Sequence, residues 1–173
     1  MQKFKVVTDG SADLSNEIVR ERDITVVPFY VMLGEGEYLR QGIDIDTPTF
    51  YSWMIGNPTK FPKSAAPSAQ DYLEVFVKAA EAGEKVICVC ITCKFSSSYQ
   101  SAAIARTMVL DDYPEASITV IDSTVNTVLQ GQFVLEACDL RDAGLGYEEA
   151  VGRLESIKST GRIFFTIGSM DYL

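Results

Sequence analysis

Residues 6–15 read VVTDGSADLS: an apolar strand pattern runs directly into a turn of small, hydroxyl-bearing and acidic residues and then toward a helix. The same order recurs in ITCKFSSSYQ at residues 91–100 and in VIDSTVN at residues 120–126. In a parallel sheet the loops that follow the strands gather at one edge, the carboxyl edge, where α/β folds bind their ligands. These three segments therefore predict both a fold class and the place of a site.

The rest of the chain alternates strand and helix patterns. Runs rich in β-branched residues predict strands at Phe4–Thr8, Ile24–Leu33, Val86–Thr92, Ile118–Ile121 and Ile163–Ile167. The glycine-rich segment 34–42 predicts a hairpin or an excursion after the second strand. Helical periodicity and stop signals predict helices at Asn16–Arg22, Thr47–Ile55, Ser68–Ala82, Ser97–Leu110, Thr124–Ala143 and Tyr147–Ser159. Because near-continuous apolar strands need cover on both faces, we expect an α/β fold with a mainly parallel β-sheet and helices on both faces.

The composition excludes several classes of function. The chain has 173 residues, with 24 acidic against 15 basic side chains, a formal net charge of -9 and no histidine. An acidic protein cannot displace counterions from nucleic acid, and an anionic membrane surface is an equally poor partner. No uncharged run approaches the roughly 18 residues of a membrane span. Without histidine, the commonest zinc ligand and the usual general base are missing, so we expect no metal and no cofactor.

The four cysteines indicate the cellular compartment of the protein rather than a metal or redox site. Three of the four lie close together, at Cys88, Cys90 and Cys93, while Cys138 stands alone, and no second pair follows at the spacing of a zinc site. Cys88 and Cys90 point to the same face of a strand. We expect buried free thiols and, because such thiols persist under reducing conditions, a cytoplasmic protein.

A ligand site competes with two other interpretations of the hydroxyl-rich loops. Ser, Thr and Asp are also the preferred N-cap residues, so the loops could belong to an interaction module and merely close helices. The segment 62–68 adds weight to a site, because Ser64 lies between two prolines that restrict the backbone. Helix N-termini at this edge would attract an anionic group.

An enzyme is the other alternative. Asp9, directly after the first strand, could act as the nucleophile of a hydrolase or phosphotransferase on a small anionic substrate, with Asp122 as an alternative acid or base. The haloacid-dehalogenase-like phosphatases require a second Asp two positions after the first, and Ser11 stands there in this chain. The enzyme hypothesis therefore lacks a catalytic carboxylate, and no phosphate-binding glycine motif replaces it.

Five segments resemble the DegV family. VTDGSADL at residues 7–14 resembles the family's opening turn, and VPF at residues 27–29, with the GIDI of residues 42–45, resembles its second segment. PKSAAPS at residues 62–68 and KFSSSYQSA at residues 94–102 resemble its Lys-Thr-Ser-Gln-Pro-Ser and Leu-Ser-Gly-Thr-Tyr-Gln-Ser-Ala stretches. The match runs through nearly the whole chain in order, and VIDS at residues 120–123 completes it.

The resemblance implies a bacterial fatty-acid-binding protein rather than a catalyst. In some bacteria such a protein is the subunit that presents a long-chain fatty acid to a fatty acid kinase. The family's two carboxylate-binding hydroxyl positions fall on Ser64 and Ser96, and the neighbouring motif loops add Ser11 and Ser123 as further candidates. A tail channel would be lined by residues such as Phe29, Val31, Phe76, Ile104, Leu129 and Phe133, although ordinary core packing accounts for each of them more simply.

The chain departs from the family pattern in ways that affect the site and the domain organisation. Gly10 replaces a serine, Ala65 and Ala66 replace Ser-Gln, and Ser97 replaces a glycine. Family members continue into a second domain, so we expect residues 1–160 to be the DegV-like amino-terminal lipid-binding domain and residues 161–173 the first strand of the next. An apolar face left uncovered would favour a homodimer.

Overall fold

The computed structural model describes residues 4–164 and residue 166. Over these residues the strands are β1 (Phe4–Asp9), β2 (Ile24–Val27), β3 (Tyr30–Met32), β4 (Leu39–Arg40), β5 (Lys63–Ala65), β6 (Lys85–Cys90) and β7 (Ile118–Asp122). The α-helices over the same residues are α1 (Asn16–Glu21), α2 (Thr47–Gly56), α3 (Ala69–Glu81), α4 (Ser98–Asp112), α5 (Thr127–Asp142) and α6 (Tyr147–Ile157).

The main sheet has four parallel strands in the order β2-β1-β6-β7. β1 and β6 occupy the centre, and in the central strands almost every side chain is buried, including Val7, Val86 and Val89. Such strands need cover on both faces. The predicted α/β fold with a mainly parallel sheet is therefore confirmed.

Successive side chains of β1 and β6 supply two separate cores. Val6 and Ile87 pack on one face against residues of α5 and α6 such as Val134 and Leu154. Val7 and Cys88 pack on the other face with α3 and α4, where buried residues include Tyr72, Phe76, Ala102 and Ala105. The period-2 alternation of a strand thus places helices on both sides of the sheet.

The predicted strand Ile24–Leu33 is wrong as a single element. It divides at Pro28 and Phe29 into β2, which pairs with β1, and β3, which belongs to a second sheet. Proline has no N–H to donate to a ladder, so the parallel pairing ends at Val27 opposite Asp9. Pro28 therefore marks the point at which the chain leaves the main sheet and enters the second one.

Residues 28–68 form an excursion from the main sheet. Here β3 lies between β4 and β5 in a small antiparallel sheet. Helix α2 lies between β4 and β5 in the chain. β5 was not predicted, because a three-residue strand without an apolar run has no periodicity to detect. In this sheet Val31 pairs with Ser64, which brings one apolar and one hydroxyl side chain side by side.

The predicted strand Ile163–Ile167 does not appear in the residues that can be described. Ile163, Phe164 and Thr166 have no strand assignment, and Phe164 is 94% exposed. Residues 165 and 167 lie outside the described residues. The domain boundary near residue 160 stays a prediction.

Helix α5 contacts the turn after β1 through a glycine. A Cβ added at Gly131 would collide with the backbone oxygen of Ala12 and come within 3.1 Å of the Leu14 side chain. We expect Gly131→Ala to lower the free energy of unfolding by about 1–3 kcal/mol, the cost of overpacking against backbone. Urea denaturation measures this difference.

Gly152 in α6 is the matched control, because a Cβ there meets nothing within 4 Å. Gly152→Ala should raise the free energy of unfolding by up to about 1 kcal/mol through helix propensity alone. Equal effects of the two substitutions would contradict the proposed close approach at Gly131.

Candidate functional site

The loops after β1, β6 and β7 are tied together at the carboxyl edge of the main sheet. The Ser123 N–H donates to the Cys90 oxygen at 3.0 Å, and the Thr92 N–H donates to the Val125 oxygen at 2.9 Å. The Asp122 carboxylate accepts from the Thr124 N–H at 2.8 Å. The Ile91 N–H donates to the Asp9 side chain at 2.9 Å, so the three segments that the sequence singled out do meet at one edge.

A buried carboxylate organises this edge. Asp9 has no exposed surface, and its side chain accepts four hydrogen bonds from four different segments. The donors are the Ile91 N–H at 2.9 Å, Ser98 Oγ at 2.6 Å, Gln130 Nε2 at 2.9 Å and the Ser11 N–H at 3.2 Å. Burial raises the pKa of the Asp9 carboxyl, and these four bonds offset only part of that effect.

The hydrogen-bond network continues on both sides of Asp9. Tyr72 donates its hydroxyl proton to Ser98 Oγ at 2.7 Å, since the Ser98 proton is already engaged with Asp9. Gln130 Nε2 also reaches Thr8 Oγ1 at 3.2 Å, and Thr8 in turn donates to the Val89 oxygen at 2.8 Å. The network therefore links both faces of the sheet through buried side chains.

This geometry argues against the enzyme hypothesis. A nucleophile needs an unengaged lone pair that faces substrate, whereas the Asp9 carboxylate is enclosed and already accepts four donors. Asp122 is occupied by the N–H groups of Thr124 and Cys93. Both carboxylates hold loops in place.

A cavity of about 310 Å³ lies beside the network, between the end of β1 and the excursion. Its apolar wall consists of Phe29, Val31, Ile45, Phe50, Tyr51 and Ile91. Its polar wall consists of Gly10, Ser11, Asp13, Gln41, Asp46, Thr47, Ser64 and Thr127. This volume is at the lower end of the range of small-molecule sites, and the mixed lining is typical of them.

The cavity brings together two of the four predicted serines. Ser11 and Ser64 both line it, Ser11 half-buried and Ser64 exposed. Ser96 is half-buried in the loop after β6, and its hydroxyl accepts from the Ser98 N–H at 3.2 Å. Ser123 is fully buried, and its hydroxyl is engaged with the backbone of Val125 beside a different hollow.

The predicted tail-lining residues divide in a similar way. Phe29 and Val31 line the cavity. Phe76 is part of the core beneath α3 and α4, Ile104 is 55% exposed, and Leu129 and Phe133 line the hollow that includes Ser123. Core packing explains Phe76, as the sequence had suggested.

Several lining residues were missed at the sequence level. Phe50 and Tyr51 lie on α2, Gln41 follows β4, and Thr127 opens α5 with a positive φ of 50°. A signal existed only for α2, where consecutive aromatic residues follow a Pro at the helix start. Gln41 has no sequence signature at all.

The prediction for the cysteines can be checked over the described residues. Cys88, Cys90 and Cys138 are buried free thiols as expected, whereas Cys93 is exposed, which corrects the prediction for that residue. Within the described ranges no helix is long and apolar enough to cross a membrane. No cluster of metal-ligating side chains is present in that part of the chain.

A parallel α/β sheet with a partly apolar cavity at its carboxyl edge is typical of α/β domains that bind small molecules. Residues 3–173 match the model of the DegV family, and the chain belongs to that family. The resemblance found in the sequence motifs is thereby confirmed.

Related proteins and solved structures agree with this membership. DegV domain-containing proteins of Caldanaerobacter subterraneus subsp. tengcongensis and Clostridium perfringens are 32% and 34% identical over 173 residues, which is all of this chain and 59% and 60% of theirs. The chain thus spans less than two thirds of these relatives.

Among the similar solved structures are two fatty-acid-binding proteins. A stearic-acid-binding protein of Eubacterium ventriosum is 40% identical with a TM-score of 0.84, over 88% of this chain and 52% of that one. A DegV family protein of Thermus thermophilus, described by its fatty acid binding, is 29% identical with a TM-score of 0.77, over 91% and 54% of the two chains.

The raised pKa of Asp9 predicts a pH dependence of stability. Because its pKa is higher in the folded than in the unfolded state, this carboxyl stabilises the fold below its unfolded pKa and loses that contribution as pH rises through the folded pKa. Lowering the pH from about 7 toward 4 should therefore raise the unfolding free energy of wild type relative to Asp9→Asn. Urea denaturation at several pH values measures this difference.

Asp44 provides a control of opposite sign. Hydrogen bonds from the Arg40 side chain and backbone lower the pKa of Asp44 to about 2. Wild type should therefore lose stability relative to Asp44→Asn as the pH falls from the unfolded pKa toward 2. The same trend for both pairs would contradict the assignment of Asp9 as a carboxyl dominated by burial.

Proposed function

We propose that this chain binds a long-chain fatty acid in the cavity between β1 and the excursion. The observation that carries the proposal is one cavity in which Ser11 and Ser64 face an apolar wall that includes Phe29 and Phe50. The residues that line it include carboxylates, hydroxyls and the single amide of Gln41 but no Lys or Arg. Such a lining suits an amphipathic ligand with a small polar head.

The hydrocarbon tail supplies the driving force. Each methylene removed from water contributes about 0.8 kcal/mol, so a chain of ordinary length offers roughly 10 kcal/mol before the costs of ordering and association. The apolar wall is formed by residues of both the sheet edge and the excursion, such as Ile91 and Val31. A ligand bound there is held between these two parts of the fold.

The carboxylate is held by hydroxyl groups in this proposal. A buried carboxylate must replace the hydrogen bonds that it makes in water, and hydroxyl and backbone N–H donors can do so without a cation. Ser64 and Ser11 provide two such donors at the cavity. Ser96 is not among the residues that line the cavity, and it stays a candidate because the family motif has a hydroxyl at this position. Its hydroxyl accepts from the Ser98 N–H, and that bond does not use its own proton.

The related structures support the same ligand class. The Eubacterium ventriosum protein, 40% identical over the matched region, is described as binding stearic acid. Asp13 and Asp46 also line the cavity, and Asp46 accepts from the Thr49 N–H at the start of α2. These carboxylates favour placing the ligand head on the serine side.

Substitution of the serines tests the head-group assignment. The double variant Ser64→Ala/Ser96→Ala should weaken fatty-acid binding by about 2–4 kcal/mol, because the carboxylate is left short of donors, and Ser11→Ala alone by about 1 kcal/mol. Binding is measured by titration with palmitate and by mass spectrometry of an organic extract of the protein expressed in bacteria.

Ser52→Ala is the control, since Ser52 is an exposed serine of α2 that does not line the cavity. If the wild-type protein carries no lipid and does not bind added palmitate, the proposal that its ligand is a fatty acid is wrong. Wild type that binds while the double variant binds equally well would favour loops that only cap helices.

We also propose that the protein is cytoplasmic and presents its fatty acid to a fatty acid kinase. The proposed head-group serine Ser64 is exposed, so a bound carboxylate near it would be within reach of a second protein. The protein would then be a carrier that provides the substrate, while the kinase performs the phosphoryl transfer. The free cysteines Cys88, Cys90 and Cys138 agree with a reducing compartment.

A coupled assay tests the role of a kinase substrate. A bacterial fatty acid kinase should form acyl phosphate from ATP only when a protein carrying residues 1–173 is present and loaded, and Ser64→Ala/Ser96→Ala should abolish most of this dependence. Acyl phosphate is trapped with hydroxylamine and quantified. Equal turnover with free fatty acid would contradict presentation while leaving binding intact.

A further inference from the structure

The amide of Gln41 lies at the head of the proposed ligand. Its Nε2 donates to the Gly10 oxygen at 3.3 Å, and Gly10 directly precedes Ser11, one of the proposed head-group donors. Gly10, Ser11, Gln41 and Ser64 all line the same cavity. The amide is therefore next to the space in which the proposed function places the carboxylate.

The backbone of Gln41 is fixed, whereas its side chain is only loosely attached. The Gln41 N–H donates to the Phe29 oxygen at 2.8 Å. The side chain is exposed, and its bond to the Gly10 oxygen is long. A side-chain amide has two N–H groups, and this bond uses one of them. The second N–H can therefore donate to a ligand.

Gly10 makes room for the amide. A Cβ at position 10 would lie 2.5 Å from Gln41 Oε1 and 3.2 Å from the Phe29 nitrogen. The amide thus occupies space that a side chain at position 10 would need. The chain has this glycine where the DegV pattern has a serine, so an amide lies where that pattern places a hydroxyl.

The charge of the lining gives a neutral donor its importance. Asp13 and Asp46 line the cavity, and its lining contains no Lys or Arg. A carboxylate bound there depends on hydrogen bonds from uncharged groups, because no lining cation pairs with it. An amide N–H adds such a bond without adding charge, whereas a glutamate at position 41 would add a third carboxylate.

We propose that Gln41 is a further head-group residue, which donates its second amide N–H to the bound carboxylate and favours a carboxylate over an uncharged head. This inference rests on the proposed fatty-acid binding. Ser11 belongs to the sheet edge and Gln41 to the excursion. The two donors therefore hold the carboxylate from both parts of the fold.

Two ligands with the same tail and different heads test this assignment. Affinities for myristate and myristyl alcohol are measured by competition with a fluorescent fatty acid at neutral pH, where the acid is ionised. Gln41→Met, which keeps the bulk and loses the N–H groups, should weaken myristate binding about tenfold, because a hydrogen bond to a charged group is lost. Gln41→Glu should weaken it on the order of a hundredfold, because like-charge repulsion is added. Both variants should change the affinity for the alcohol much less.

Gln41→Lys is a variant whose expected result misfolding cannot produce. It replaces the amide with a positively charged donor and should bind myristate more tightly than Gln41→Met does. Gln70→Glu is the matched control, because Gln70 is an exposed glutamine of α3 that does not line the cavity. It adds the same charge as Gln41→Glu outside the cavity and should leave both affinities unchanged.

The outcomes separate this inference from the proposed function. Wild type that does not bind myristate overturns the proposed function itself. Wild type that binds, together with unchanged myristate affinities in Gln41→Met and Gln41→Glu, overturns the role of Gln41 alone. Equal losses for myristate and the alcohol also overturn it, since residue 41 would then only support the shape of the cavity. Myristate binding by Gln41→Lys that is no tighter than that of Gln41→Met has the same consequence.

Discussion

The Asp9 carboxylate is the constraint on which the rest of the site depends. A buried charge without a cation is tolerated only when hydrogen bonds replace its hydration. Asp9 obtains those bonds from the backbone of Ser11 and Ile91 and from the side chains of Ser98 and Gln130. Segments more than a hundred residues apart in the sequence are thereby fixed against one another, and the wall of the cavity is built on them.

The cavity has two walls of different character. One is the carboxyl edge of the parallel sheet, where the hydrogen bonds of Asp9 and the bond from the Thr92 N–H to the Val125 oxygen hold the loops in place. The other is the excursion of residues 28–68, in which α2 has no buried residue and Tyr51 is 58% exposed. Both walls carry apolar and polar side chains, so they differ in how firmly they are packed: the sheet edge is held by buried hydrogen bonds, whereas α2 has no buried residue.

Sequence patterns were sufficient for the parallel sheet and for the helices that cover it. Strands such as Val86–Thr92 and the stripe of α3 carry strong periodicity, and these elements appear where they were expected. α5 starts later than predicted, at Thr127, because Thr124 adopts a positive φ of 61° in the preceding turn. The residues that form the cavity and its surroundings were harder to predict from the sequence. Nothing near Gln130 indicates that it meets Asp9, and the position of Gln41 depends on a turn closed by tertiary contacts. Ser11 and Ser64 were found because they stand in recognisable motifs.

The hydrogen bonding of the excursion bears on how proteins of this family can diverge. Within the described residues, β3 pairs with β4 and β5, and none of the three joins the parallel sheet. Insertions, deletions or swaps in this stretch therefore leave the ladders of the main sheet and the Asp9 network unbroken. Substitutions in this one contiguous block of the gene can change the lining of the cavity while the parallel sheet is conserved.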